Sequence, residues 1–185
     1  MQTAIEALSV EGVTNILSTF SCSINDDIER FLKEKSIEFS NKGIARTHLV
    51  LFDSGSRFEL MGYYTLTNKI LSISPEGLSN STKKRVERFG VIDSHTGLYN
   101  VPTPLIAQLG KNFSSELSAH INGDELLQIA CDKVVEIQDE LGCKLVYIEC
   151  DNTKSLIDFY SRNNFNIMES GRQGDNELIQ MIRFL

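Results

Sequence analysis

The stretch CDNTKSLIDFYSRNNF, residues 150–165, decides the reading. It closes a short apolar run, Lys144 to Cys150 (KLVYIEC), whose length and composition suit a strand. A polar turn follows. Residues 153–162 then place Leu156, Phe159 and Tyr160 on one inward helical face. Three residues after Tyr160 stands Asn164-Phe165. Asparagine is the best non-glycine residue where a helix exit needs left-handed backbone. Phe165 to Met168 starts another strand, so the segment predicts strand, helix, strand.

Working outward, Leu127, Ala130, Cys131, Val134, Ile137 and Leu141 trace an apolar stripe that predicts a helix from Gly123 to Leu141. Leu178 to Leu185 (LIQMIRFL) supplies a last strand. It reads equally as an inner strand or as an exposed edge through which two copies would pair as a homodimer. Residues 99–110 (YNVPTPLIAQLG) contain a strand, and Pro102 and Pro104 predict that its first part is an edge or a splayed segment. Residues 81–89 (STKKRVERF) read as a short basic helix. RFELMGYYTLTNKILSIS, residues 57–74, reads as two strands around a hairpin turn at Thr67-Asn68-Lys69. Thr47 to Phe52 is a strand, with Gly55-Ser56 as its turn. Ile24, Ile28, Phe31, Leu32 and Phe39 share one helical face, which predicts a helix at about 25–41 capped by Asn25 and ended by Gly43. Strands and helices alternate after a hairpin, which indicates an α/β or α+β sandwich around a mixed sheet.

Composition narrows the function classes. Of 185 residues, 41% are apolar and 23% charged, an ordinary globular balance that excludes collagen-like and largely disordered chains. Acidic residues outnumber basic ones, 25 to 18, and the net charge of −7 argues against a surface that coats nucleic acid or an anionic membrane. No apolar run reaches the roughly 18–20 residues of a membrane helix, and MQTAIEALSVEG lacks the features of a signal peptide. The chain reads as cytoplasmic. Cys22, Cys131, Cys143 and Cys150 form no C-x-x-C pair, so they read as reduced thiols filling small core positions, without a metal.

The Tyr160-x-x-x-Asn164-Phe165 spacing after a strand resembles the signature of the GNAT superfamily of acyl-CoA N-acyltransferases, in which the helix ends in Tyr-x-x-x-Gly-Phe. GYYTLT at 62–67 looks like the family's central hairpin strand, 104–110 like its fourth strand, and 123–141 like its third helix. The resemblance covers most of the chain. It implies one domain over 1–185, with a central mixed, mostly antiparallel twisted sheet, helices on both faces, and a splay between strands four and five. FSCSINDDIERFLKEKS (20–36), ARTHLVLF (45–52) and MGYYTLT (61–67) further resemble the acetyltransferase toxins of type II toxin–antitoxin modules.

The family resemblance implies acetyl-CoA as cosubstrate. Its pyrophosphate needs backbone N–H groups at a helix N-terminus. The matching loop is Ser118-Ala119-His120-Ile121-Asn122-Gly123, which keeps only the last glycine of the family pattern, with Asp124 and Glu125 opening the helix. By resemblance, the backbone at Leu109 and Lys111 pairs with the pantetheine amides, as a peptide adds to a sheet edge. Tyr160 matches the family's general acid toward the departing CoA sulfur. Asn152 lies one residue out of phase with an asparagine that contacts the pantetheine region, and reads equally as a helix cap. Glu149 ends the strand near an acceptor amine and is the candidate base; Glu116, His120 and His95 are further candidates. Lys83, Lys84, Arg85 and Arg88 form a basic run that reads as a solvated face, or as a contact for a phosphate-rich acceptor. The leading expectation is acetyl transfer to a small-molecule, peptide or protein amine. The alternatives are acetylation of aminoacyl-tRNA, as the toxins would imply, and a non-catalytic acyl-CoA-binding protein.

Overall fold

The computed structural model describes residues 1–53, 55, 58–76, 78–114, 119–168 and 178–185. In chain order the elements are α1 (Gln2–Ser18), α2 (Asp26–Arg30), a π-helical turn (Phe31–Lys35), α3 (Ser36–Asn41), β1 (Arg46–Asp53), β2 (Phe58–Ile73), α4 (Asn80–Val86), β3 (Val91–Ile92), β4 (Tyr99–Lys111), α5 (Gly123–Leu141), β5 (Leu145–Asp151), α6 (Lys154–Arg162), β6 (Asn166–Ile167) and β7 (Leu178–Phe184). Seven strands form one mixed sheet in the order β1-β2-β4-β5-β7-β6, with β3 against β4. β5 pairs antiparallel with β7, while β4 runs parallel to β5 with Leu105 opposite Tyr147. The chain divides into two compact units, Met1–Thr67 with Ile106–Ala130, and Asn68–Leu105 with Cys131–Leu185.

In the first unit, β1 and β2 pair antiparallel from Arg46↔Leu66 to Asp53↔Phe58. The ladder slips between Val50 and Leu51, leaving Met61 as the extra residue of a β-bulge. One sheet face carries Leu60 and Tyr63, packed with Leu17, Phe20 and Leu32 from the N-terminal helices. The other carries Met61, packed with Ile121, Leu126 and Leu109. Two glycines let backbones close up here. A Cβ on Gly62 would lie 2.8 Å from the Gly110 carbonyl oxygen, and one on Gly110 would lie 2.5 Å from Ile28 and 2.7 Å from the Tyr63 ring.

In the second unit, period-two alternation sorts β5 onto two faces. Leu145 and Tyr147 join a core with Leu71, Ile73, Val101, Leu105 and Ile182, covered by Val86 of α4. The opposite face is covered by α6, which packs on β5, and by the end of α5, where Cys131 Sγ accepts from Arg183 of β7. Cys22, Cys131 and Cys150 are buried and Cys143 is partly exposed. No helix among the described residues is long and apolar enough to cross a membrane.

Several expectations need correction. No hairpin turns at Thr67-Asn68-Lys69: β2 runs unbroken, and none of the three has the positive φ that a two-residue turn requires. These polar residues sit where the strand is solvent-exposed. The N-terminal segment carries a helix, α1, that was not expected; Ser9 breaks it with φ 66. The helix at 25–41 is present with Asn25 as its cap, accepting from the Asp27 and Ile28 N–H groups, and Gly43 follows at φ 70. Its π turn shifts the helical phase. Ser36 and Ser40 are fully buried, Phe39 is only partly so, and Ile24 is 77% exposed. On α5, Leu141 is exposed and Gln138 is buried instead, its side chain donating to the Leu145 carbonyl. β7 lies between β5 and β6, which makes it an inner strand at Met181 and Ile182, the residues that pair with β6. β4 is an inner strand and not an edge, and Leu105 opposite Tyr147 is the one pair that joins it to β5, in keeping with the expected splay between these strands.

Candidate active site

Tyr160 is positioned by the end of its helix. Thr153 caps the start of α6, its hydroxyl accepting from the Leu156 N–H. At the other end, Asn164 takes φ 65. The Phe165 N–H then reaches the Tyr160 carbonyl at 3.0 Å and the Asn164 N–H reaches Ser161 at 3.0 Å. These are the two bonds of a Schellman closure, and that motif brings the third-last helical residue against the residue after the left-handed one. Here those residues are Tyr160 and Phe165, with ring centroids 5.7 Å apart; Phe159 meets Tyr160 edge-on at 4.9 Å. The Tyr-x-x-x-Asn-Phe spacing is therefore a helix terminus that clamps one phenol between two rings.

No hydrogen bond joins the Tyr160 hydroxyl to another described residue, and its side chain is partly exposed. Burial, helped by the Cys150 thiol, pushes its pKa far above the ordinary tyrosine range. It stays protonated at neutral pH and can donate its proton in a hydrogen bond to what comes near.

Glu149 points away from it. Cys150, the next residue on β5, faces Tyr160, so alternation puts Glu149 on the opposite face. There its carboxylate lies 3.4 Å from Lys69 Nζ and accepts from Gln180 Nε2 at 3.2 Å. Tyr147, two residues earlier on the same face, is buried and its phenol is likewise pushed up by desolvation and by Glu149. Asn152 is exposed and does not cap α6; Thr153 does.

Apart from Asn152, the residues expected to hold the cofactor lie in the first unit. Leu109 packs against Met61, Ile121 and Leu126, and Lys111 Nζ sits over the Phe113 ring at 5.5 Å. Ile121 is buried and does not form an open glycine-like loop. At the α5 N-terminus, Asn122 Oδ1 accepts from the Glu125 N–H at 2.9 Å, and Glu125 Oε2 accepts from the Asn122 N–H at 2.8 Å. This is a reciprocal capping box. It occupies two first-turn donors of the helix, those of Asn122 and Glu125. Ser118 and Glu116 lie outside the described residues, and His95 and His120 are exposed.

On the basic helix α4, Arg85 stacks on the Phe184 ring at 3.5 Å and Glu87 accepts from the Tyr99 hydroxyl. Two of that run's side chains, Arg85 and the interspersed Glu87, are thus used in packing.

Buried acids give one prediction. The Tyr63, Tyr147 and Tyr160 phenols lie above their ordinary range and the Cys131 thiol is raised to about 11, in each case chiefly by desolvation. Each binds its proton more tightly folded than unfolded. Their contribution to stability is complete below the unfolded values, about 8.5 for a thiol and about 10 for a phenol, and is lost as pH rises toward the folded ones. The thermal midpoint should hold up to about pH 8 and fall steadily toward about pH 11. A series of melts at increasing pH checks this, and a level midpoint throughout contradicts it.

The mixed sheet with one parallel pair of strands is the fold that the GNAT resemblance implies. No family model matches the chain, and no curated protein matches its sequence. Solved structures do match in fold. AtaT complexed with acetyl-methionyl-tRNAfMet is 19% identical, with a TM-score of 0.64 over 88% of this chain and 85% of that one. A tyrosine-to-phenylalanine variant of the AtaT toxin, bound to the C-terminus of the antitoxin AtaR and acetyl-CoA, is 16% identical, with a TM-score of 0.59 over 90% and 83%. A tyrosine-to-phenylalanine variant of KacT is 19% identical, with a TM-score of 0.62 over 89% and 85%.

Proposed function

We propose that the chain is an acetyl-CoA-dependent N-acetyltransferase in which Tyr160 donates to the departing CoA sulfur. The observation that carries this is a phenol clamped between Phe159 and Phe165, its pKa raised by burial, with no hydrogen-bond partner among the described residues. The fold neighbours support it, since one is solved with acetyl-CoA and two are solved as tyrosine-to-phenylalanine variants. When bound, acetyl-CoA supplies an activated thioester. The residues present suit its two ends unequally. Tyr160 suits a thiolate, whereas at the start of α5 a phosphate would meet the Glu125 carboxylate, which already accepts from the Asn122 N–H. Leu109 and Lys111 would offer strand backbone to the pantetheine amides.

Tyr160 holds its proton more tightly than a thiol with a pKa of about 8.5 does. Complete transfer to sulfur is uphill, so Tyr160 works as a hydrogen-bond donor to charge as it develops. Glu149 is proposed as the group that receives the acceptor ammonium and takes its proton, with Lys69 giving way. Glu149→Gln is then expected to lower kcat by roughly 10²-fold at neutral pH, the lower end for loss of a general base. An unchanged kcat would leave proton removal to water.

For the acceptor, the reading best supported is the α-amine of an aminoacyl-tRNA, because the neighbour with the highest TM-score quoted above is complexed with acetyl-methionyl-tRNAfMet. Radiolabelled acetyl-CoA offered with charged tRNA, peptides and polyamines tests this. Label on the aminoacyl group supports it, label on peptide or polyamine moves the acceptor to that class, and no release of CoA thiol with any of them favours a binding protein without turnover.

A further inference from the structure

Glu149 lies on β5 two residues past Tyr147, the residue that pairs with β4, and its carboxylate is held from two sides. Gln180, its register partner on β7, donates through Nε2 to Oε1 at 3.2 Å. Lys69 of β2 lies with Nζ 3.4 Å from Oε2. Alternation puts both side chains on one sheet face: Lys69 shares its face with Leu71, Glu149 shares its face with Tyr147, and Leu71 and Tyr147 belong to one core. The pairs of Lys42 with Glu38, Lys133 with Glu136 and Lys154 with Asp158 are of another kind. They join residues three or four apart in sequence, and their carboxylates are 54%, 66% and 58% exposed. The Glu149 carboxylate is 23% exposed, and its lysine comes from 80 residues away, with its own side chain half open to solvent.

In an acetyltransferase that uses Glu149 as its base, the attacking nitrogen must come within hydrogen-bond reach of that carboxylate. Lys69 is an amine of the chain itself that already stands there. We propose that Lys69 is a self-acetylation site: when no external amine displaces it, the chain transfers one acetyl group from acetyl-CoA to its own Lys69 nitrogen. This rests on the acetyltransferase reading. The Lys69 ammonium gives one proton to Glu149. The freed amine attacks the thioester carbonyl, a C–N bond forms, the C–S bond breaks, and CoA leaves as a thiolate that accepts a hydrogen bond from Tyr160. The nitrogen's second proton goes to the thiolate, and Glu149 releases its own to water. The products are acetyl-lysine and CoA thiol. Acetylation removes the lysine's charge, so it ends the ion pair and leaves the carboxylate to Gln180. An amide does not react again, so each chain takes one acetyl group at this site.

The test incubates the purified full chain with acetyl-CoA and no added amine, and follows each lysine by peptide mass spectrometry. Lys69 should approach one acetyl group per chain, at a rate roughly 10²-fold above Lys133 and Lys154, which report uncatalysed reaction with the thioester. Glu149→Gln and Tyr160→Phe should each slow labelling of Lys69 by roughly 10²-fold or more and leave those two lysines at background. Lys69→Arg, which keeps a cation opposite Glu149, should lose the label and still bind acetyl-CoA in calorimetry. Mixed with wild type, the Tyr160→Phe chain should stay at background at Lys69, because the transfer is within one chain. Labelling of Lys69 no faster than of Lys133 and Lys154, equal in wild type and both variants, or passed to the Tyr160→Phe chain in the mixture would overturn self-acetylation. A wild type that then still acetylates an added amine would keep the functional reading without this site. A wild type that binds no acetyl-CoA would overturn the functional reading, and this site with it.

Discussion

Tyr160→Phe is expected to lower kcat by roughly 10²–10³-fold, the cost of removing one donor aimed at developing charge. Fold and cofactor binding should be kept. Among the described residues the hydroxyl bonds to no protein group, so its removal strands none of them, and both ring contacts with Phe159 and Phe165 survive. The thermal midpoint should stay level or rise slightly, because a desolvated hydroxyl is lost. Single-turnover kinetics with a coupled assay for free CoA thiol, alongside a melt, checks both halves. Loss of activity together with loss of folding would make Tyr160 a core tyrosine, and full activity would remove it from the chemistry.

Gly62→Ala is expected to be the most destabilising small change in the first unit. The added methyl would stand 2.8 Å from the Gly110 carbonyl oxygen and 3.1 Å from Leu126. A side chain can give way, but the carbonyl moves only if β2 and β4 part. The cost should reach the upper part of the range for overpacking, roughly 3 kcal/mol. That corresponds to a fall of about 6–12 °C in Tm for a chain of this size. Adding Leu126→Ala should not restore stability, since the closer clash is with backbone. A restored Tm in the double variant would place the strain on Leu126 instead.

The legible parts of the sequence were those where local chemistry and tertiary packing agree. The Tyr160–Phe165 spacing is a helix terminus written in residue types, and Asn164 adopts the left-handed backbone its identity suggests. The boundaries of α5 follow from an apolar stripe, whereas its Asn122 cap was read as part of a phosphate loop. Misreadings arose where long-range contacts overrule a local signal. Thr67-Asn68-Lys69 has the composition of a turn, yet Lys69 stays in strand and reaches Glu149 from eighty residues away. The π turn rotates the face after Phe31, exchanging Phe39 for two serines in a way no simple period reveals. The N-terminal helix has an interruption at Ser9 and a weak apolar face. At the site, Tyr160 could be read from its motif. Glu149 was placed on the right strand, but its pairing with Lys69 and its face opposite Tyr160 depend on the sheet.

The most direct test of the central claim is titration of the purified chain with acetyl-CoA by calorimetry, with CoA and ATP as controls. The account predicts saturable binding with a Kd on the order of 1 μM to 1 mM, the range of enzyme substrates, tighter for acetyl-CoA than for ATP. No heat of binding up to about 1 mM ligand would contradict it. The self-capped α5 terminus would then have lost the cofactor, and the fold would serve another purpose.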